Sequence, residues 1–428
     1  MKKLFKISLA GLLLFSQLSC DEQKFLDEVP LDFFSLENSY VTANDYDRAL
    51  TDLYARVREV HFGSSASINY FAHFQATDIA KHARLDADRF GDYQVWLVPT
   101  NSMVRFHWES WYKIVANANT VISRSATAPI TEEQRERIAG EALFFRAYAY
   151  RHLVYLYGGV PLILEEITRP RTDLVRSSKE EVLKQILADL QLAAKQLPSI
   201  DQVQDGKVSN LVAYHLIAET QLTLGNFDEA IAATTEVIGA PQTSLMKTRF
   251  GARVGETDKD SYWDLFQKGN QGRSSGNRES LWIAKMESDI PGGMLKSSGG
   301  SQNSLERFAS PAGWTLLDPE GKNGMNGQGM SDYNIGGRGV SFMMNTDYYL
   351  YDIWEKGGNT DQRNASHNIV RDVKYNNPAS KWLDSSAVKY PALNWLNQHW
   401  RWYPWPSKIS TPGDHPDDKR EFEPDEPQ

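Results

Sequence analysis

The chain has 428 residues, 41% of them hydrophobic, enough for one large domain or two to three smaller ones around a sizeable core. Its 46 Lys and Arg against 55 Asp and Glu leave a net charge of −9 with no block of basic residues, which argues against a nucleic-acid partner. A single cysteine excludes an intrachain disulfide, a zinc knuckle and a CxxC redox motif.

At the N-terminus, Lys2, Lys3 and Lys6 precede the apolar run Ile7 to Phe15, and Ser16 to Ser19 lead to Cys20. That order is a bacterial export signal over residues 1–19, too short in its apolar part to span a bilayer, which takes about 20 residues. A cysteine at this point resembles the lipobox of bacterial lipoproteins, whose thiol is acylated and becomes the first residue of the mature chain. Ser19 fits the small residue beside the cut, while Gln17 stands where Leu is usual. The resemblance implies lipidation at Cys20. Asp21 and Glu22 resemble the signal that sends such lipoproteins of Bacteroidetes to the outer face of the outer membrane.

Residues 42–60 predict a helix with Thr42 as N-cap and Tyr46, Ala49, Leu50, Leu53, Tyr54 and Val57 on one face. Residues 106–125 predict a second, with the stripe Trp108, Trp111, Tyr112, Val115, Ala118 and Ile122. Asn117 and Asn119 are poor mid-helix residues, so at least one should turn inward to bond backbone. Thr131 and Gln134 form a capping box that opens a long helix, stopped by Gly158, Gly159 and Pro161. Ser178 and Glu181 form another, and Pro198 closes that helix. Ala218, Leu222, Gly225, Phe227 and Ala230 then keep the spacing of a tetratricopeptide helix-turn-helix.

Near residue 269 the character changes. Between Gly269 and Gly339 lie 15 of the 29 glycines, and nine of the twelve tryptophans occur from Trp263 onward. Rings on loops suit recognition, since they stack on the C–H faces of sugars; the alternative is that they pin long loops onto the helical body.

TANDYDRALTDLYARV, WYKIVANANTVI, GEALFFRAYAYRHLVYLYGGVPLI, EEVLKQILADLQLAAKQLP, DGKVSNLVAYHLIAETQLTLGNFDEAI, SYWDLFQKGN and ESLWIAKM occur in the order seen in the SusD/RagB family, which the chain resembles from Cys20 to about residue 375. The resemblance implies a mainly α fold, with tetratricopeptide-like helix pairs as a scaffold and a loop-rich ligand-binding face. It also implies an oligosaccharide or polysaccharide ligand and a SusC-like, TonB-dependent outer-membrane transporter as partner, with no cofactor. The expected organisation is a signal over 1–19, a helical region over 20–268 and a loop-rich region over 269–410. The tail, 411–428, has seven acids and four prolines and is expected to be disordered, in a chain truncated at its C-terminus.

By position relative to starch-binding relatives, Asp78, Arg84, Trp96 and Asn101 are ligand candidates before the WYKI-like helix, with Trp314 and Tyr333 in the later loops. Trp96 and Trp314 would stack on sugar rings; Asp78 and Asn101 would bond hydroxyls. No GxSxG, HExxH or GxxxxGK[ST] is present and the nine histidines are scattered, so no catalytic or metal-ligating set is expected. Two other readings remain: a surface glycoside hydrolase using a carboxylate pair such as Glu165 and Glu166, or a tetratricopeptide scaffold binding a protein or peptide.

Overall fold

A computed structural model describes residues 39–63, 73–75, 77–84, 93–286, 308–326, 339–358 and 360–409. Helix α1 (Ala43–Phe62) starts where the Thr42 backbone N–H and hydroxyl both donate to Asp45 at 2.8 Å, and it buries Tyr46, Leu50, Leu53 and Val57 on the predicted face. Helix α2 (Ser102–Ser125) begins four residues before the predicted start, because the Asn101 side chain accepts the Met103 N–H at 2.9 Å.

Helices α3 (Glu132–Tyr157) and α4 (Lys179–Gln196) open on the two predicted capping boxes. Helix α3 ends where Gly158 turns to φ +71°, a region that disfavours side chains with a Cβ. Helices α5 (Asn210–Leu224) and α6 (Phe227–Ile238) are joined by Gly225 at φ +81°. One apolar cluster runs through all six helices, with Trp111, Phe144, Phe145, Tyr150 and Leu190 buried at its centre. The protein is thus mainly α, with helix pairs stacked as tetratricopeptide-like repeats stack. Among the described residues no helix is long and apolar enough to cross a membrane.

A polar bolt passes through this apolar stack. Arg146 makes a two-pronged contact to Asp189, both bonds 2.7 Å, and donates to Asn119 Oδ1 at 3.0 Å and the Leu164 carbonyl at 2.9 Å. The inward turn predicted for Asn117 or Asn119 falls to Asn119, which is fully buried and donates to the Ile163 and Glu165 carbonyls. Tyr150 and Tyr112 bond the Ile163 and Pro161 carbonyls at 3.0 and 2.7 Å. The first part of the connector after α3 is therefore held by side chains from the helices beneath it, which bond the carbonyls of Pro161, Ile163, Leu164 and Glu165.

The connector also doubles back on itself: Ser177 N–H donates to the Val160 carbonyl at 3.0 Å. A Cβ at Gly159 would lie 2.1 Å from the Ser177 carbonyl oxygen, a backbone atom that cannot swing away. Gly159→Ala is expected to lower stability by about 1–3 kcal/mol, the range for overpacking a close contact; urea midpoints of the two proteins check it.

Beyond α6 the chain is mostly turns. Strand β1 (Ala80–Lys81) pairs antiparallel with β2 (Met344–Asn345), and β3 (Ile369–Val370) with β4 (Trp405–Pro406). A second apolar cluster gathers Tyr375, Trp402, Tyr403 and Trp405, with Trp314, Trp382, Trp395 and Trp400 packed against it. Of the nine later tryptophans, Trp263, Trp354, Trp402 and Trp405 are buried and Trp282, Trp314, Trp382, Trp395 and Trp400 are half-buried. These rings mainly pin loops, and several are fixed by their N–H: Trp282 to the Gly206 carbonyl, Trp314 to Gly339 and Trp395 to Trp402, at 2.9–3.0 Å.

Candidate functional site

Three loop segments are stitched into one body on which most of the candidate residues sit. Ser341, buried and held at φ +64°, donates its hydroxyl to the Trp400 carbonyl at 2.5 Å and accepts the Ala312 N–H at 2.8 Å. Those two bonds hold a non-glycine residue in the left-handed region. Tyr403 donates to the Met343 carbonyl at 2.7 Å, and Phe308 stacks on Phe342 with ring centroids 4.8 Å apart. The segments 308–316, 339–345 and 399–406 are fastened together by these contacts. The 73–84 segment joins them through Gln75, which donates to the Phe342 carbonyl at 2.5 Å, and through the β1–β2 pairing.

Asp78 is exposed on this body, and its backbone carbonyl accepts the Thr346 hydroxyl at 2.6 Å. Arg84 places its guanidinium carbon 4.8 Å from the Trp400 ring centroid. Trp314 lies in the 3₁₀ turn Gly313–Thr315, with one edge held by its bond to Gly339. Asp78, Arg84 and Trp314 thus share one loop body. Trp96, half-buried, ends the helical turn Tyr93–Trp96 ahead of α2, where Asn101 serves as N-cap. The Asn101 side chain is engaged with the Met103 N–H at the start of α2. Cys20 and Tyr333 lie outside the described residues.

Three exposed tyrosines that the sequence reading passed over lie beside the candidate residues. Tyr93 is 53% exposed, beside Trp96. Tyr348 and Tyr351 are 37% and 45% exposed in the π-helical turn Tyr348–Asp352, which follows β2 and so stands next to Asp78. Single π-helical turns recur at functional sites, a cue invisible in residue type. The YYLYD spacing, with rings three apart, was the one available signal.

The histidines, scattered in sequence, are not scattered in space. His61 on α1, His73, His107 on α2 and His152 on α3 meet around Trp111. His73 and His107 have ring centroids 5.0 Å apart, His61 and His152 5.2 Å, and Trp111 stacks on His152 at 4.1 Å with 3° between planes. The Tyr148 hydroxyl and His61 Nε2 share a hydrogen bond of 3.0 Å. Burial and then the neighbouring imidazoles push His61 down to about 3; burial and then His107 push His73 down to about 4. His152 is driven well below the ordinary imidazole range, by burial first and His61 second. Among the described residues no group of three or more His, Cys, Asp and Glu is disposed to hold a metal ion.

Of the carboxylates suggested by the hydrolase reading, Glu166 is held by Arg124 through three bonds of 2.9–3.1 Å. Glu165 contributes its backbone carbonyl to Asn119.

Residues 24–222 match the family model described as "Starch-binding associating with outer membrane". The SusD-like protein P25 of Formosa agariphila is 26% identical over 316 residues, covering 71% of this chain and 55% of that protein. The chain spans about half the length of the curated relatives it matches. Among solved structures, a laminarin-binding SusD-like protein superposes with a TM-score of 0.58 at 23% identity, over 77% of this chain and 67% of that one. A SusD superfamily protein from Bacteroides thetaiotaomicron gives 0.56 at 16% identity, over 80% and 67%. With six stacked helices in the predicted order and a family match through α1 to α5, the chain is similar to the SusD/RagB family in sequence and in fold.

Proposed function

We propose that this protein is a non-catalytic, lipid-anchored component of the outer-membrane surface that captures an oligosaccharide and passes it to a SusC-like TonB-dependent transporter. Likeness to that family supports the glycan ligand. The observation that carries the reading is the stitched loop body, which presents Asp78, Arg84, half-buried Trp314 and the open rings of Tyr348 and Tyr351 from one rigid support. Flat rings with a few fixed polar groups are the chemistry of sugar recognition. The engagement of Glu166 by Arg124 favours binding over hydrolysis. Acylation of Cys20 would supply the anchor, and the loop-rich region 269–410 the ligand face.

Electrophoresis of the mature protein through gels containing single polysaccharides, laminarin among them, should show retardation by at least one and no release of reducing sugar. Tyr348→Ala and Trp96→Ala should each weaken retention about three- to tenfold, as loss of one aromatic contact worth about 0.5–1.5 kcal/mol implies. Unchanged retention in both variants removes these rings from the site. Cys20→Ala should move the protein out of the membrane fraction; acyl labelling that persists in that variant refutes the anchor.

A further inference from the structure

Three consecutive residues serve both halves of the protein. His73 lies against the helices: its ring centroid is 5.0 Å from that of His107 on α2 and 6.3 Å from that of His152 on α3. Phe74 packs instead in the loop body, in the small cluster of Ala80, Ala309 and Met343 with Phe308 and Phe342, and Gln75 donates to the Phe342 carbonyl. Further along, Thr346 donates to the Asp78 carbonyl and Asn345 to the Ile79 carbonyl, and Ala80 pairs with Asn345. The segment is fastened to the loop body on one side and presents an imidazole to the helices on the other.

What His73 meets there is basic. With His107 and His152 stand His61 on α1 and Arg151 on α3, whose charges act within the same cluster. Arg151 is engaged by Glu219 of α5 through bonds of 2.8 and 2.9 Å, and the Tyr148 hydroxyl shares a hydrogen bond with His61. Neutral rings pack edge to face in such a cluster, as His73 does with both His107 and His152. Protonated rings repel one another and Arg151 at these separations. His61, His107 and His152 are built into long helices and cannot leave without unwinding them. His73 can leave by the movement of a short turn.

We propose that His73 is an acid-sensitive latch between the helical stack and the loop body: protonation expels its ring from His107 and His152, and the loop body loosens from α2. The ligand candidates ride on opposite sides of this latch, Trp96 ahead of α2 and Asp78, Arg84 and Trp314 on the loop body, so its release parts them. In place, His73 takes up a proton only near 4, through burial first and His107 second, whereas a released imidazole does so near 6.5. The released form therefore gains on the latched one as pH falls from about 6.5, by about thirtyfold at pH 5 from His73 alone, and the gain levels off near 4. The latch is read without a ligand; its control of ligand release rests on the glycan-binding reading.

Hydroxyl-radical footprinting of the mature protein at pH 7.5 and 5.0 tests the latch, with the exposed His215 as internal reference and amide exchange in the centre of α3 as the measure of global folding. His107, buried in place, should be oxidised about tenfold faster relative to His215 at pH 5.0 while α3 keeps its protection. His73→Phe, which keeps a ring and cannot charge, should hold His107 oxidation low at both pH values; circular dichroism at pH 7.5 establishes that this variant is folded. No rise at pH 5.0, the same rise in folded His73→Phe, or a rise that accompanies lost protection in α3 overturns the latch. Retention on immobilised laminarin, or on whichever polysaccharide retards the protein at pH 7.5, should fall about tenfold at pH 5.0 in the wild type and stay level in His73→Phe. Equal falls in both proteins overturn control of release. Failure of every polysaccharide to bind at pH 7.5 overturns the glycan-binding reading, and the oxidation result then decides the latch by itself.

Discussion

Asp189→Ala is expected to lower the stability of the protein by about 3–5 kcal/mol, the range for stripping one partner from a buried ion pair. Arg146 and Asp189 are 7% and 2% exposed at their side chains, so the guanidinium left behind has no water to turn to. The loss should not stay local. Arg146 also holds Asn119 and the Leu164 carbonyl, and Asn119 holds the connector at Ile163 and Glu165. Gln185, which donates to Asp189 at 2.8 Å, loses its acceptor as well. Urea unfolding gives the magnitude, and hydrogen exchange gives the location, with faster exchange expected over residues 158–178. Replacing both charges, as in Arg146→Met with Asp189→Leu, should recover part of the loss and not all of it, since Asn119 and the Leu164 carbonyl remain unanswered. A double variant no better than Asp189→Ala would show that the pair itself contributes little beyond its other bonds.

The second large effect depends on pH. In the unfolded chain each histidine takes up a proton near pH 6.5, whereas His73 does so in the folded protein only near 4 and His61 near 3. A folded value depressed below the unfolded one means that the unfolded state binds more protons as pH falls. Stability therefore drops from about pH 6.5 downward and levels off only near the folded values. By linkage each such imidazole removes about 2 kcal/mol by pH 5. His152, shifted the same way, adds to the loss. Carboxylates held low by hydrogen bonds, such as Asp45 by the Thr42 backbone and hydroxyl and Asp361 by Arg363, lose their stabilising charge only below the usual aspartate range. The window between pH 6.5 and 4 thus belongs to the histidines. Urea midpoints at pH 7.5, 6, 5 and 4.5 should fall steeply, and His73→Phe, which keeps a ring against His107, should flatten the slope. An unchanged slope in that variant would show that His73 stays near its unfolded value.

The helical half was legible because its signals are local. Thr42, Thr131 and Ser178 announce caps by type and spacing, Gly158 and Gly225 announce stops by their tolerance of positive φ, and apolar residues three and four apart mark the buried faces. Helix α2 starts ahead of the predicted residue 106 because Asn101, a ligand candidate by position, caps it through the Met103 N–H. In the loop half the determinants are long-range. Ser341 bonding Trp400 spans 59 residues and Tyr403 bonding Met343 spans 60, and no periodicity encodes such pairs. For the same reason four histidines from separate segments gave no warning that they converge, and Tyr348 and Tyr351 looked no different from tyrosines that are buried.

The indole staples at Trp282, Trp314 and Trp395 make the loop half resemble a fabric pinned at a few points, with the cloth between the pins free to differ. Exchanging a stretch between two pins for one of similar length would alter what the surface grips while leaving the thermodynamic scaffold intact.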